Sequence, residues 1–273
     1  MRSEDILVLK LGGSLLTDKS TPFKLKADVI ERVATEIKEC IDLTLIKNLV
    51  IVHGVGSFGH PPVLQYNLHK GFKDKDQLIS MSKTQQIVNK LRKAIASKFI
   101  DKGIPINVMH ASSMVVGNKM VITDHTFESL KGFLSLGMVP LIGGDMMYDS
   151  SMGFSVCSGD QLAVLLSHVL NAERLMFATD VLGVYDQDPQ LGTKAQLLKE
   201  LNINDLDNVL KNLDGSSKAD ASGRMQGKLL SLVPTIDRIK KGFKVAIFSM
   251  IKKNTLKKHL KGEKVELTRI VYE

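Results

Sequence analysis

Four short segments of this chain combine glycines with charged or hydroxyl side chains in ways suited to holding an anion. The first is Lys10-Leu11-Gly12-Gly13-Ser14, where an apolar run ends in paired glycines with a lysine just before them. Glycines let backbone N–H groups come close to a phosphate, and the lysine supplies a point charge. The second, His53-Gly54-Val55-Gly56-Ser57-Phe58-Gly59-His60-Pro61, directly follows the apolar run Leu49-Val50-Ile51-Val52. The third runs from Phe177 through Thr179, Asp180, Gly183 and Tyr185 to Pro189, and is rich in polar and proline punctuation. The fourth, Asp220 to Lys228, is a glycine loop (Gly223, Gly227) leading into a helical pattern that carries a lysine. Each alone reads as a turn or a cap. Four in one chain, two of them joining lysine to glycine, point to an enzyme that handles phosphate.

The second segment fits neither of the two familiar glycine-loop patterns. Gly54, Gly56 and Gly59 satisfy G-x-G-x-x-G, but a dinucleotide fold also needs a strand ending in an acidic residue about 20 positions on. That window holds Lys73-Asp74-Lys75-Asp76 with no strand before it. A P-loop needs Lys followed by Ser or Thr, and this chain has His60 and Pro61 there. What remains is a strand-to-helix anion cradle, with Pro61 in the first turn of the following helix and His60 facing the anion.

The elements that must position these loops alternate along the chain. Strands are expected at Ile6–Leu11, Leu49–His53, Ile106–His110, Val139–Ile142, Leu175–Ala178 and Val245–Ser249. Helices are expected at 27–42, 76–102, 126–135, 159–171, 204–211 and 227–241. Alternation of this kind implies a mainly parallel open sheet covered by helices, an α/β sandwich. The stretch 213–222 reads as a loop. On the helix 76–102, Leu78, Ile79, Met81, Ile87 and Leu91 form a stripe that serves a core more readily than a substrate wall.

Composition narrows the class. The chain has 37 basic and 29 acidic residues and a net charge of +8, which admits nucleic acid, anionic lipid or phosphorylated metabolites as partners. The lysines are scattered except near Lys252–Lys258, and no aromatics interleave them for base stacking, so that cluster reads as a solvated face and no nucleic-acid partner is expected. Cys40 and Cys157 have no ligand-like spacing, which suits a reducing cytoplasm. No apolar run approaches the roughly 20 residues a membrane helix needs, and no export signal is expected.

Taken in order, Lys10-x-Gly-Gly-Ser14, His53-Gly-x-Gly-Ser-Phe-Gly-His60, Cys157-Ser-Gly-Asp-Gln161, Thr179-Asp-Val-x-Gly-Val-Tyr185 with Asp188-Pro189, and Ser222-Gly-x-Met-x-x-Lys228 resemble the amino acid kinase superfamily. The second block, with Ala111–Val116 and Gly144-Asp145, resembles its isopentenyl phosphate kinases in particular. The resemblance implies a three-layer α/β/α domain over residues 1–273, with an acceptor-binding lobe at 1–170 and a nucleotide-binding lobe at 171–273. It implies an ATP- and Mg²⁺-dependent phosphotransferase acting on a phosphate monoester, usually as a homodimer. Catalytic roles are implied for Lys10, Lys19, His60, Asp160 and Lys228, with Asp160 holding Lys10 and Lys228. Acceptor binding is implied for Gly54, Val55 through its N–H, Gly59, His60 and Gly159. ATP contacts are implied for Lys10, Gly12, Gly13, Thr179, Asp180, Gly183, Tyr185, Pro189, Gly223 and Lys228. Two positions depart from the pattern: Val55, where a third glycine is usual, and Arg224, where a second glycine is common. A kinase for a phosphonate of the fosfomycin type or for a carboxylate, and a non-catalytic nucleotide- or nucleic-acid-binding regulator, remain the alternatives.

Overall fold

The computed structural model describes residues 5–187, 195–206, 208, 210 and 224–273. The first half of the chain forms β1 (Ile6–Leu11), α1 (Gly13–Leu16), α2 (Ala27–Asp42), β2 (Asn48–His53), α3 (Gly56–Gln65), α4 (Asp76–Asp101), β3 (Ile106–Val108), β4 (Val115–Asn118) and β5 (Val121–His125). Next come α5 (Glu128–Ser135), β6 (Val139–Gly143), β7 (Asp145–Asp149), β8 (Gly153–Cys157), α6 (Gly159–Val169) and β9 (Arg174–Thr179). The last part adds β10 (Glu200–Asn202), α7 (Arg224–Ser231), α8 (Ile236–Lys240), β11 (Lys244–Ser249), α9 (Thr255–Leu260) and β12 (Leu267–Val271).

An eight-stranded sheet in the order β10-β12-β11-β9-β1-β2-β6-β3 forms the middle layer, parallel except where β11 meets β12. β1 is central, and the chain winds from it first toward β3 and then toward β12. Ligands in such sheets sit at the carboxyl ends of the strands, where the winding reverses. Side chains alternate across β1: Leu7, Leu9 and Leu11 enter the core beneath α2 and α4, while Val8 enters the core beneath α6. The two-residue period therefore turns Lys10 toward α6 and turns His53 of β2, in step with Leu49 and Ile51, toward α4.

The six expected strands are all present, β3 ending at Val108 rather than at residue 110. The large, mainly parallel sheet is the expected one, and β5-β4-β7-β8 make a second, four-stranded sheet. Its strands are short, and β5 is largely exposed, so the long apolar runs that betray a doubly covered strand are missing. The span 227–241 is two helices separated by a 3₁₀ turn at Val233–Thr235, where Pro234 cannot continue the first. Pro61 is not in the first turn of its helix: α3 begins at Gly56 and holds Pro61 and Pro62 inside it. The readable part of 204–211 shows a 3₁₀ turn at Ile203–Asp205 and then helical residues at 206, 208 and 210, and the loop 213–222 lies outside the described residues.

One carboxylate fastens the second sheet. Asp149 is fully buried and accepts from the backbone N–H of Lys119 (3.1 Å), Met120 (2.9 Å), Ser151 (3.0 Å) and Met152 (3.0 Å), and from the Ser155 hydroxyl (2.8 Å). Lys119 and Met120 have φ of 49° and 66°, the pair of left-handed residues that a tight β4–β5 hairpin requires. Burial raises the Asp149 carboxyl, yet these donors outweigh it and bring it down to about 2. Its contribution is present above the ordinary carboxylate range and is lost as pH falls toward about 2. Asp149→Ala would strand several buried donors, a loss of about 3 kcal/mol or more, or roughly 6–12 °C in Tm. Thermal unfolding followed by circular dichroism checks this, and an unchanged midpoint would remove Asp149 from its role.

Candidate active site

Strand register gathers the loops. Leu11 is level with His53 on one side and with Ala178 on the other, so the segments beginning at Gly12, Gly54 and Thr179 leave the sheet side by side. Gly54 N donates to Leu11 O (2.8 Å) and Gly12 N to Ala178 O (2.8 Å). The first two loops then touch backbone to backbone. A Cβ on Gly13 would lie 2.4 Å from Gly56 N, and one on Gly54 would lie 2.6 Å from Gly13 N. Gly56 also needs its φ of +48°. Thr17, fully buried, ties the pair: its hydroxyl donates to Gly13 O (2.8 Å) and accepts from Ser57 N (3.0 Å). Sequence reasoning gave Thr17 no role, and a lone hydroxyl between Leu16 and Asp18 carried no signal of one.

Lys10, turned toward α6 by the strand period, meets Asp160 in the first turn of that helix, which Ser158 caps by accepting from Asp160 N (3.2 Å). Lys228 of α7 arrives from the same face. Both ammonium groups contact one oxygen, with Lys10 Nζ 2.8 Å and Lys228 Nζ 3.0 Å from Asp160 Oδ1. Lys228 Nζ also lies 4.7 Å from the centre of the Phe177 ring. Burial alone would raise the Asp160 carboxyl, but the two lysines outweigh it and hold it well below the carboxylate range. Burial lowers Lys228 to about 8, with Asp160 resisting and Lys10 assisting. The cluster carries two positive charges against one negative and so favours an incoming anion.

On the other side of β1, Asp180 accepts from the Ser14 hydroxyl (2.6 Å) and pairs with Lys19 (3.1 Å), an exposed side chain. This joins the first and third segments. The Thr179 hydroxyl is tied into its own turn, donating to Val181 O (2.7 Å). Gly183 packs against β12, where a Cβ would lie 2.4 Å from Thr268 Oγ1, and the half-buried Tyr185 bridges to Leu197. Pro189, Gly223, Asp188 and the Arg224 side chain lie outside the described residues.

Toward β2 and β6, Val55 caps α3, with Gly59 and the half-buried His60 in the helix behind it. The departure at position 55 is absorbed by its neighbour, since a Cβ on Gly59 would lie 2.4 Å from Val55 Cγ2. Gly159 closes the group, its Cβ position 3.1 Å from His53 O. Beside α3 a small apolar cluster unites Val63, Leu68, Met146 and Phe154 with Tyr66, Met81 and Val156. Leu91 and Ile87 of the expected stripe serve the main core, while Leu78 and Ile79 are exposed. Sequence reasoning missed Arg92, which is 1% exposed beneath these loops. Its signal was there: an arginine in step with Val88, Ile95 and Phe99 on the buried face of α4.

An open parallel sheet with anion-ready loops at the carboxyl ends of its central strands is the scaffold of a phosphotransferase. Residues 5–249 match the model of the amino acid kinase family, and the chain belongs to that family. It is 34% identical over 272 residues to isopentenyl phosphate kinase of Methanothermobacter thermautotrophicus, covering 97% of this chain and 98% of that one. To isopentenyl phosphate kinase of Methanocaldococcus jannaschii it is 32% identical over 286 residues, again covering 97% and 98%. A solved structure described as "X-ray structures of isopentenyl phosphate kinase" superposes with a TM-score of 0.82 at 32% identity, covering 97% of this chain and 100% of that one. Kinase relatives of this kind imply that the chain uses ATP.

The Lys228 shift sets a pH limit. Its folded value of about 8 lies below the ordinary 10.5, so it burdens stability below pH 8 and the burden eases as pH rises toward 10.5. Its charge, by contrast, is lost over that same rise. The kcat/KM for ATP is expected to fall as pH climbs through about 8, and Lys228→Arg is expected to flatten that limb. A rate profile from pH 6 to 10 checks this, and a limb that persists in the arginine variant would assign it to another group.

Proposed function

We propose that the protein transfers the γ-phosphoryl group of ATP to isopentenyl phosphate, giving isopentenyl diphosphate and ADP. The observation that carries the reading is the convergence of Lys10 and Lys228 on one Asp160 oxygen, beside two glycine loops in backbone contact. Phosphoryl transfer asks a protein mainly for positioning and charge stabilisation along an in-line path. Lys10 and Lys228 would neutralise charge on the transferring group, and Asp160 would keep the two ammoniums in place until the nucleotide shares them. The Gly12 and Gly13 backbone would face that group, with Lys19 swinging from Asp180 to join them.

In this reading residues 1–170 form the acceptor lobe and 171–273 the nucleotide lobe, with Thr179, Asp180, Gly183, Tyr185, Pro189 and Gly223 on the nucleotide side. Gly54, the Val55 N–H, Gly59, His60 and Gly159 would hold the acceptor phosphate. A phosphate monoester is itself a nucleophile at neutral pH, so His60 would serve as a hydrogen-bond partner rather than a strong base. As the new P–O bond forms to the acceptor oxygen, the bond to the β-phosphate breaks and ADP leaves. The half-buried Tyr66, Met81 and Val156 supply apolar surface near α3 for a short hydrocarbon tail. Among the described residues no three His, Cys, Asp or Glu side chains are grouped to hold a metal, so Mg²⁺ would ride on the nucleotide phosphates and water. We propose a cytoplasmic homodimer acting on a small molecule; among the described residues no helix is long and apolar enough to cross a membrane.

The test is ADP release with Mg-ATP and, in turn, isopentenyl phosphate, a plain alcohol, a phosphonate and an amino-acid carboxylate. Turnover is expected with isopentenyl phosphate alone, and preference for any other acceptor would overturn the substrate. His60→Ala should lower acceptor kcat/KM about ten- to a hundredfold, the worth of one charge-assisted hydrogen bond, with ATP binding little changed. An unchanged acceptor kcat/KM would remove His60 from the site.

A further inference from the structure

Beneath the proposed acceptor loop lies a buried polar relay in which the reaction as described uses no member directly. Arg92 reaches it from the apolar face of α4. Its Nη2 pairs with Asp145 Oδ2 (3.1 Å) and its Nη1 donates to Asn89 Oδ1 (2.6 Å) and to His110 Nδ1 (2.8 Å). Its Nε donates to Nε2 of His53 (3.1 Å), a ring with no exposed surface. Asp145 is fixed in turn by Met146 N (2.9 Å). Gly143 makes room for the ring, since a Cβ there would lie 2.3 Å from His53 Nε2.

A guanidinium can only donate, so Nε2 of His53 accepts and the proton of the neutral ring belongs to Nδ1. Burial, reinforced by the Arg92 charge, keeps the ring neutral by lowering it to about 3. Nδ1 lies 3.2 Å from Gly54 O and donates to it. The peptide joining Gly54 to Val55 is trans, so its C=O and N–H point in opposite directions. Holding the Gly54 carbonyl down on His53 therefore aims the Val55 N–H away from the ring.

We infer that Arg92 and His53 are positioning residues for phosphoryl transfer: Arg92 fixes the Nδ1–H tautomer of His53, and that proton holds the Gly54–Val55 peptide with its N–H toward the acceptor phosphate. The last link rests on the reading of residues 54–60 as the acceptor loop, while the tautomer does not. Asp145 balances the guanidinium, so the relay carries no net charge and serves orientation alone. Neither side chain meets substrate, which is why the relay sits on the α4 face of the sheet and the lysine cluster on the other.

NMR of the free, ¹⁵N-histidine-labelled protein reads the tautomer without nucleotide or acceptor. A neutral Nδ1–H ring at pH 7 is expected for His53, and an Nε2–H or doubly protonated ring overturns the proposal. Kinetics with isopentenyl phosphate then read the consequence. His53→Leu cannot donate to Gly54 O and should raise the acceptor KM about tenfold, one hydrogen bond's worth, while the ATP KM stays within about twofold. His53→Asn places an amide N–H where Nδ1 stood and should recover most of the loss. If both KM values rise together, or Asn does no better than Leu, the positioning role is overturned. A wild-type enzyme that ignores isopentenyl phosphate would strike the acceptor reading alone, and the tautomer would still decide the relay.

Discussion

The approach of Gly13 to Gly56 sets the distance between two loops that come from different strands and lead into different helices. With no side chain on either residue the backbones lie in contact, and Thr17 can bond to both loops at once. The parallel register of β1 and β2 makes the contact possible, because Leu11 and His53 end level. Any β-carbon at 13, 54 or 56 would wedge the loops apart by more than the difference between a good hydrogen bond and none. The spacing of the two loops is thus set by main-chain contact at Gly13, Gly54 and Gly56.

Two buried charge groups flank this contact, one on each face of the sheet, and they differ in completeness. On the α4 face, Arg92 is matched by Asp145, and two neutral imidazoles and the Asn89 amide oxygen accept from its other N–H groups. On the α6 face, Lys10 and Lys228 share a single carboxylate oxygen and leave one positive charge unmatched. A buried site with surplus charge is costly by itself and is relieved by an anion. In the proposed reading, the difference separates a group that holds backbone from one that receives phosphate.

The framework was legible where sequence patterns are strong. β1 and α2 were bounded correctly because continuous apolar runs and a clean helical face leave no rival reading. Lys10, Asp160 and Lys228 come together in the fold, as the family resemblance implied. The second sheet escaped notice because β4, β5, β7 and β8 are short, and β5 is mostly exposed. The start of α3 was misjudged because two prolines lie within it, and proline is a sign of the first turn only when the chain cannot begin earlier. Here glycine at 56 could begin it. Thr17 and Arg92 were illegible as partners because their meaning rests on contacts 40 and 39 residues away.

The fit of Val55 into the space left by Gly59 makes the two positions mutually dependent. Starting from glycine at both, valine can enter at 55 because the vacancy at 59 receives its methyl groups. Once it has, a side chain at 59 is shut out, since its Cβ would overlap the Val55 Cγ2 at 2.4 Å. Alanine entering first at 59 would in turn have barred valine from 55. The two positions are therefore coupled in packing, and what position 59 tolerates depends on the side chain at position 55.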